Sequence, residues 1–416
     1  MARKSKYTFQ ILFLLVFWAC SEESNLSNRD PYTIVSNKMQ KGPKIILTRS
    51  AIAPIVDDSL NHRFNRLSLD YLWQDSLLFY ANQNKIHQVN IQSGEHEVIE
   101  IPDYEVRNTI ISTLPISKDS ILTLQLMPPI LMINDSRGNV FYKKTLPFFD
   151  FDVDNLWWKT MNMALDAGSF NYNLQPLRPL YFDRSKKQVF IPFLPVDYIL
   201  LDQVENSETI GVFDLENQDW DYGLGAAQGL IKYRGDQNYT KIFDQNYFLV
   251  QGDTTFLSYP ISHHVFLLNS KTGELIDEVI ASPQDPDPIP APIRKDVLTS
   301  SDFVKMEEWR AGSPFYGDLA FHEDLGMYSR VYFHKKSQID GFKGAYWENR
   351  ETTLLIFDKN LKLIQEIELD PEIFQLWRYL PTSDGFLVSE MNLQKELENS
   401  DEIRLGYTAK YRLEVE

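Results

Sequence analysis

The stretch "EEWRAGSPFYGDLAFHEDLGMYSRVYFH" (307–334) holds the densest set of side chains able to do chemistry. It offers Arg310, Tyr316, Asp318, His322, Glu323, Tyr328 and Arg330. Guanidinium forks match carboxylates and other planar anions, and aromatic rings beside fixed hydrogen-bonding groups suit sugars or peptides. Arg310, Tyr316, Asp318, His322 and Arg330 are therefore the candidate ligand-binding residues, with the two arginines as anion-holding groups. If the segment is a strand, Tyr328 and Arg330 share a face, while His322 belongs to an earlier piece of chain. The competing reading is a strand whose charges face water or pair with one another. "WENRETT" (347–353) adds Trp347 and Arg350 with the same two readings.

Other chemistries find little footing. "DFDVDN" (150–155) alternates Asp150, Asp152 and Asp154, as a calcium loop does. Such a loop needs glycine at its sixth position and glutamate at its twelfth. Asn155 and Met161 stand there instead, so an alternating strand with a polar face fits better and no metal is expected. His263 and His264 are adjacent at the start of a strand, so they point to opposite faces, one packed and one exposed, and do not chelate together. The chain has no His-Glu-x-x-His, no Gly-x-Ser-x-Gly and no phosphate-binding glycine loop, so no cofactor is expected.

The elements that must position these residues are strands. Runs of four to eight residues rich in Val, Ile, Leu, Phe and Tyr are separated by Gly, Asn, Asp, Ser and Pro. One unit recurs: an apolar strand ending in Asn or Asp, a polar turn, and a second strand. It appears as "HQVNIQSGEHEVIEI" (87–101), "LMINDSRGNVFYKKTL" (131–146), "IGVFDLENQDWDY" (210–222), "HVFLLNSKTGELIDEVI" (264–280) and "LLIFDKNLKLIQEIEL" (354–369). Gly94, Gly138 and Gly273 suit tight hairpin turns that require positive φ. The aligned turn residues are Asn90, Asn134, Asp214, Asn269 and Asp358. The first two lie 44 residues apart, the length of one blade of a β-propeller; the longer intervals require insertions.

A further apolar run precedes each hairpin, and the C-terminus supplies a sixth set. That set lacks one strand, which "PKIILTR" (43–49) is free to provide. The expected fold is all-β: a single six-bladed β-propeller over 40–416, closed by pairing of an N-terminal strand with the last blade. Seven blades or two β-sandwiches are the alternatives. Two long insertions, 147–178 and 281–316, interrupt the pattern, and loops of that length are often functional.

The N-terminus carries an address. Arg3, Lys4 and Lys6 precede an apolar run from Ile11 to Trp18, then Ala19 and the single cysteine, Cys20. This reads as a lipoprotein signal peptide over 1–19, a lipidated Cys20, and a flexible polar tether over 20–39. Phe17 and Trp18 are bulkier than the usual lipoprotein pattern, and an ordinary signal peptide is the alternative. Glu22 and Glu23 resemble the export signal of surface lipoproteins, so an outer-membrane location facing the cell surface is expected, with the periplasmic face as the alternative.

The chain has 41 Lys and Arg against 58 Asp and Glu, a net charge of −17; loss of three basic residues with the signal makes it −20. Such a surface repels nucleic acid. One cysteine forbids an intramolecular disulfide, so the exported fold must rest on its core.

The Cys20 signal, the acidic tether and the "VNIQSGE" and "FLLNSKTGE" hairpins together resemble surface lipoproteins of the Bacteroidota. More narrowly, the chain is similar to the domain of unknown function 4221 family. That resemblance implies fold and location and brings no activity with it. Two function classes stay open at this point. One is a non-catalytic module binding a glycan, a peptide or an envelope protein. The other is an extracytoplasmic propeller hydrolase or lyase with a site at the channel mouth.

Overall fold

The structure is a computed structural model that describes residues 33–35, 44–55, 71–73, 76–82, 84–101, 110–126, 129–145, 180–192, 210–225, 246–288, 303–336, 350–370, 374–390 and 406–416. Two strands come first, β1 (Thr33–Val35) and β2 (Ile45–Ile55). Blade 1 contains β3 (Tyr71–Trp73), β4 (Leu77–Asn82), β5 (Lys85–Asn90) and β6 (His96–Glu100). Blade 2 contains β7 (Ile110–Ser117), β8 (Ser120–Leu126), β9 (Pro129–Asn134) and β10 (Val140–Thr145).

Blade 3 contains β11 (Tyr181–Asp183), β12 (Gln188–Pro192), β13 (Ile210–Asp214) and β14 (Asp219–Leu224). Blade 4 contains β15 (Tyr247–Gln251), β16 (Thr254–Ser258), β17 (His264–Asn269) and β18 (Leu275–Ile280). A helix, α1 (Phe303–Gly312), precedes blade 5. That blade contains β19 (Phe315–His322), β20 (Met327–Phe333), β21 (Thr352–Phe357) and β22 (Leu363–Leu369). The chain ends in β23 (Phe374–Thr382), β24 (Gly385–Glu390) and β25 (Gly406–Val415).

Each of blades 1 to 5 is a four-stranded antiparallel meander in chain order. The first strands of the blades neighbour one another: β15 beside β19, β19 beside β23, β23 beside β3, β3 beside β7, and β7 beside β11. That succession makes a ring of six blades, as the repeats predict. The sixth sheet runs β1-β2-β25-β24-β23, so the N-terminal strand closes it. β2 pairs with β25 from Ile45↔Val415 to Ile55↔Gly406, and β1 adds an outer fifth strand. Gln365 of β22 fastens the closing strand to blade 5 by accepting from the Ile45 N–H (2.8 Å) and donating to its carbonyl (2.9 Å).

Burial follows position within the blade. The middle strand β21, "TTLLIF", is buried at every residue because both faces of its sheet meet a neighbouring blade. The outermost strand β10, "VFYKKT", instead alternates half-buried and exposed residues. Blades pack face to face around the ring. Phe79, Ile86 and Ile99 of blade 1 meet Ile110, Ile121 and Met132 of blade 2, for example. Phe256 and Val265 of blade 4 meet Tyr328, Tyr332 and Leu355 of blade 5.

The hairpin turns behave as their residues require, with one correction. Asn90, Asp214, Asn269 and Asp358 each accept two backbone N–H bonds from residues two to four positions on. In blade 2 the residue doing this is Asp135, which accepts from Arg137 and Asn139, and not the aligned Asn134. Asp135 also takes the Asn139 side chain at 2.8 Å, so its carboxylate answers three donors where an Asn134 amide would answer fewer. The second insertion is also not wholly irregular, since it contains α1. The first insertion and "DFDVDN" lie outside the described residues. No helix among those described is long and apolar enough to cross a membrane.

Candidate functional site

Four of the five candidate residues sit on β19 and β20, and the alternation of those strands decides what each one reaches. Tyr328, Arg330 and Tyr332 share the face of β20 that looks toward blade 4. Tyr328 donates to Gln251 Oε1 of β15. Tyr332 Oη donates to Asp287 Oδ2 at 3.2 Å and accepts from the Asp287 N–H at 2.7 Å.

Arg330 lies between them and is fully buried. Its guanidinium donates to the carbonyls of Tyr259 (3.1 Å), Ala281 (3.1 Å) and Gly317 (3.3 Å), two of them from blade 4 and its exit. The cation lies 4.1 Å over the centre of the Tyr316 ring. Burial lowers its pKa to about 10, against the favourable effect of Tyr316, Tyr379, Tyr247 and Asp318, so it stays charged at neutral pH.

Tyr316 is also buried; its N–H donates to the Pro260 carbonyl at 2.7 Å and its hydroxyl bonds His263 Nδ1. Burial, then the charge of Arg330 and the neighbouring His264, hold His263 at about 4, so it is neutral at physiological pH. His264 turns within blade 4 to Glu278, at 2.7 Å. Both histidines are half-buried, so the expected split into one packed and one exposed is not what the fold makes.

The opposite face of β20 looks toward blade 6. His322, fully buried, joins Ser329 Oγ (2.7 Å) to the Thr382 carbonyl (2.9 Å). Nδ1 must donate to the carbonyl, so the Ser329 hydroxyl takes the remaining ring nitrogen and both nitrogens are engaged. Asp318 is half-buried on β19, and its backbone carbonyl accepts from Tyr379 of β23 at 2.6 Å. Gly317 makes room for this contact, since a Cβ there would stand 3.1 Å from the Tyr379 hydroxyl oxygen.

Arg310, buried on α1, belongs to a different arrangement. The C-terminal carbonyls of that helix are held by Arg350, whose Nη2 donates to Arg310, Ala311 and Ser313. A cation there answers the negative end of the helix and its orphan carbonyls together. The structure thus brings Tyr316, Asp318 and Arg330 into one cluster and places Arg310 and His322 in others.

Residues the sequence pattern missed complete that cluster. Tyr247 of β15 and Tyr379 of β23 come from the innermost strands on either side of β19. Burial, followed by the charge of Asp318 and by Tyr247, pushes the Tyr379 hydroxyl well above its ordinary pKa. Tyr247, Asp318 and Tyr379 are each half-buried, and Arg330 lies immobilised among them. A tyrosine in the first strand of five of the six blades was the signal available, hidden because those strands carry no turn motif. Among the described residues no group of three His, Cys, Asp or Glu is arranged to hold a metal.

A domain of unknown function 4221 family protein from Bacteroides vulgatus superposes with a TM-score of 0.61 at 11% identity, covering 90% of this chain and 100% of that one. The fold is that of a domain of unknown function 4221 protein. A candidate exported protein from Bacteroides fragilis superposes with a TM-score of 0.54, also at 11% identity, covering 92% of this chain and 98% of the other. No family model matches the sequence, and no curated protein matches it.

Proposed function

We propose that this chain is an exported, lipid-anchored binding module of the outer membrane, held by Cys20 and presenting its propeller to a glycan, a peptide or an envelope protein. The observation that carries the reading is the half-buried trio Tyr247, Asp318 and Tyr379 on three consecutive innermost strands, backed by Arg330. Rings flanking a carboxylate suit a hydroxyl-rich or amide-rich ligand. The groups best suited to acid–base work are already committed: both His322 nitrogens are bonded, and the Arg330 fork is closed on carbonyls. A hydrolase or lyase reading gains no support from them. Likeness to an exported protein of Bacteroides fragilis supports the extracytoplasmic location.

The mature chain incubated with soluble envelope polysaccharide and, separately, a random tripeptide library should show saturable binding to one of them, with the ligand recovered unchanged. Asp318→Asn should weaken that binding about tenfold or more while the melting temperature holds. Product formation on either probe would overturn the reading. In cells, Cys20→Ala should move the protein from salt-washed membranes to the soluble fraction. Retention in the washed membranes would contradict the anchor.

A further inference from the structure

The groups around Tyr247, Asp318 and Tyr379 carry bonds that narrow the class of ligand they suit. Backbone is the first constraint. A peptide docks on a sheet edge by adding a strand, which requires open N–H and C=O groups. The register of β19 on β20 breaks between Tyr316 and Leu319, and the backbone groups there turn to other partners. The Tyr316 N–H donates to the Pro260 carbonyl at 2.7 Å. The Gly317 carbonyl accepts from Arg330 Nε at 3.3 Å, and the Asp318 carbonyl accepts from Tyr379 Oη at 2.6 Å. At the height of Asp318 this strand offers a peptide no backbone ladder.

Charge is the second constraint. The Arg330 fork is closed on three carbonyls, so it cannot also grip a carboxylate or a phosphate. Asp318 lies close enough to favour the Arg330 cation, and with His263 neutral the two charges cancel. A charged ligand would give up water here and meet no uncompensated counter-charge.

We infer that the ligand is an uncharged, hydroxyl-rich glycan. This rests on the binding reading of the trio and names its ligand class. Tyr379 Oη is pinned twice, donating to the Asp318 carbonyl and accepting from the Val331 N–H, so what it has left for a ligand is its ring. Tyr247 belongs to β15, the innermost strand on the other side of β19. Aromatic rings pack against the C–H face of a sugar. An ionised carboxylate only accepts, and its two oxygens suit the paired donors of neighbouring sugar hydroxyls. An extended peptide instead presents its N–H donors singly, on alternating sides of the chain.

The test is affinity electrophoresis of the mature chain through gels that each hold one probe. Dextran, mannan and levan serve as neutral glycans and alginate as a charged one; binding of random tripeptides is followed by calorimetry. At least one neutral glycan should retard the chain. Its apparent affinity should change less than about twofold between about 0.05 and 0.5 M salt, because uncharged contacts are not screened. Tyr247→Phe, which keeps the ring, should bind as the wild type does. Tyr247→Leu should bind about tenfold or more weakly with a similar melting temperature. Retardation by alginate alone, or tripeptide binding without any neutral glycan, would overturn the glycan class and leave a binding module standing. So would an affinity that falls steeply with salt, or equal losses in the Phe and Leu variants. Indifference to every probe would overturn the class and the binding reading together. Cleavage of a bound neutral glycan would keep the class and remove the non-catalytic reading.

Discussion

The guanidinium of Arg330 spends its protons on three backbone carbonyls and its face on the Tyr316 ring. Removing it leaves buried carbonyls of two blades without a donor, together with a void. Arg330→Ala should therefore cost about 3 kcal/mol or more in chemical denaturation. Lysine keeps the charge but cannot span three acceptors, so Arg330→Lys should recover only part of the loss. A loss below about 1 kcal/mol for Arg330→Ala would show that these bonds do not hold the blades together.

His263 makes a second prediction, in pH. It is neutral in the fold, at about 4, while the unfolded chain titrates near the ordinary 6.5. Between these values the unfolded state binds the extra proton. Its contribution to stability is complete above about 6.5 and is lost as pH falls toward about 4, on the order of 3 kcal/mol in all. His263→Gln, whose amide can still hydrogen-bond the Tyr316 hydroxyl, should flatten that part of the melting profile. An unchanged slope would remove His263 from the account. At this scale the residue types at 307–334 were legible, because a dense polar stretch is visible in any sequence. Their partners were not. Carbonyls carry no sequence signal, and Tyr259, Ala281 and Thr382 stand 71, 49 and 60 positions from the side chains they bind.

At the level of elements, the turns between the two outer strands of blades 2 and 4 lie against the blade before them, at Gly138 and Gly273. Gly138 has φ +85°, and a Cβ there would meet the Glu100 carbonyl oxygen of β6 at 2.0 Å. Gly94 has φ +75° with nothing within 4 Å. Gly94→Ala should thus cost about 1–2 kcal/mol from backbone conformation alone. Gly138→Ala should cost distinctly more, since blade 2 must also back away from blade 1. Equal losses in urea denaturation would show that the contact between blades carries no weight.

The glycine turns were legible because only glycine adopts those angles without strain. The same conformation at Gln218 (φ 58°) and Leu361 (φ 57°) was not. Leu361 is 3% exposed and packs with Phe357 and Tyr328, so burial compensates for a backbone angle its side chain disfavours. The innermost strands were hard to read for a different reason. β3 and β11 are three residues long, too short to show a period.

For the whole molecule, the central claim is a ring of six blades closed by its own N-terminus. The incomplete sixth repeat and the unassigned "PKIILTR" made that closure legible, because a missing strand and a spare strand imply each other. The ends are drawn together by β2 and β25, by the Glu416 N–H donating to the Lys44 carbonyl at 2.8 Å, and by Gln365 on Ile45. Ile45, Ile46 and Leu47 bury their side chains in the closing sheet, a contribution of about 5 kcal/mol taken together. The most direct measurement is the melting of two truncated chains, one starting after residue 30 and one after residue 50. The first should melt as the full mature chain does. The second loses β1 and the start of β2, uncovers the β25 edge, and should melt well below it or fail to fold. Equal melting of the two would contradict closure of the ring by the N-terminal strand.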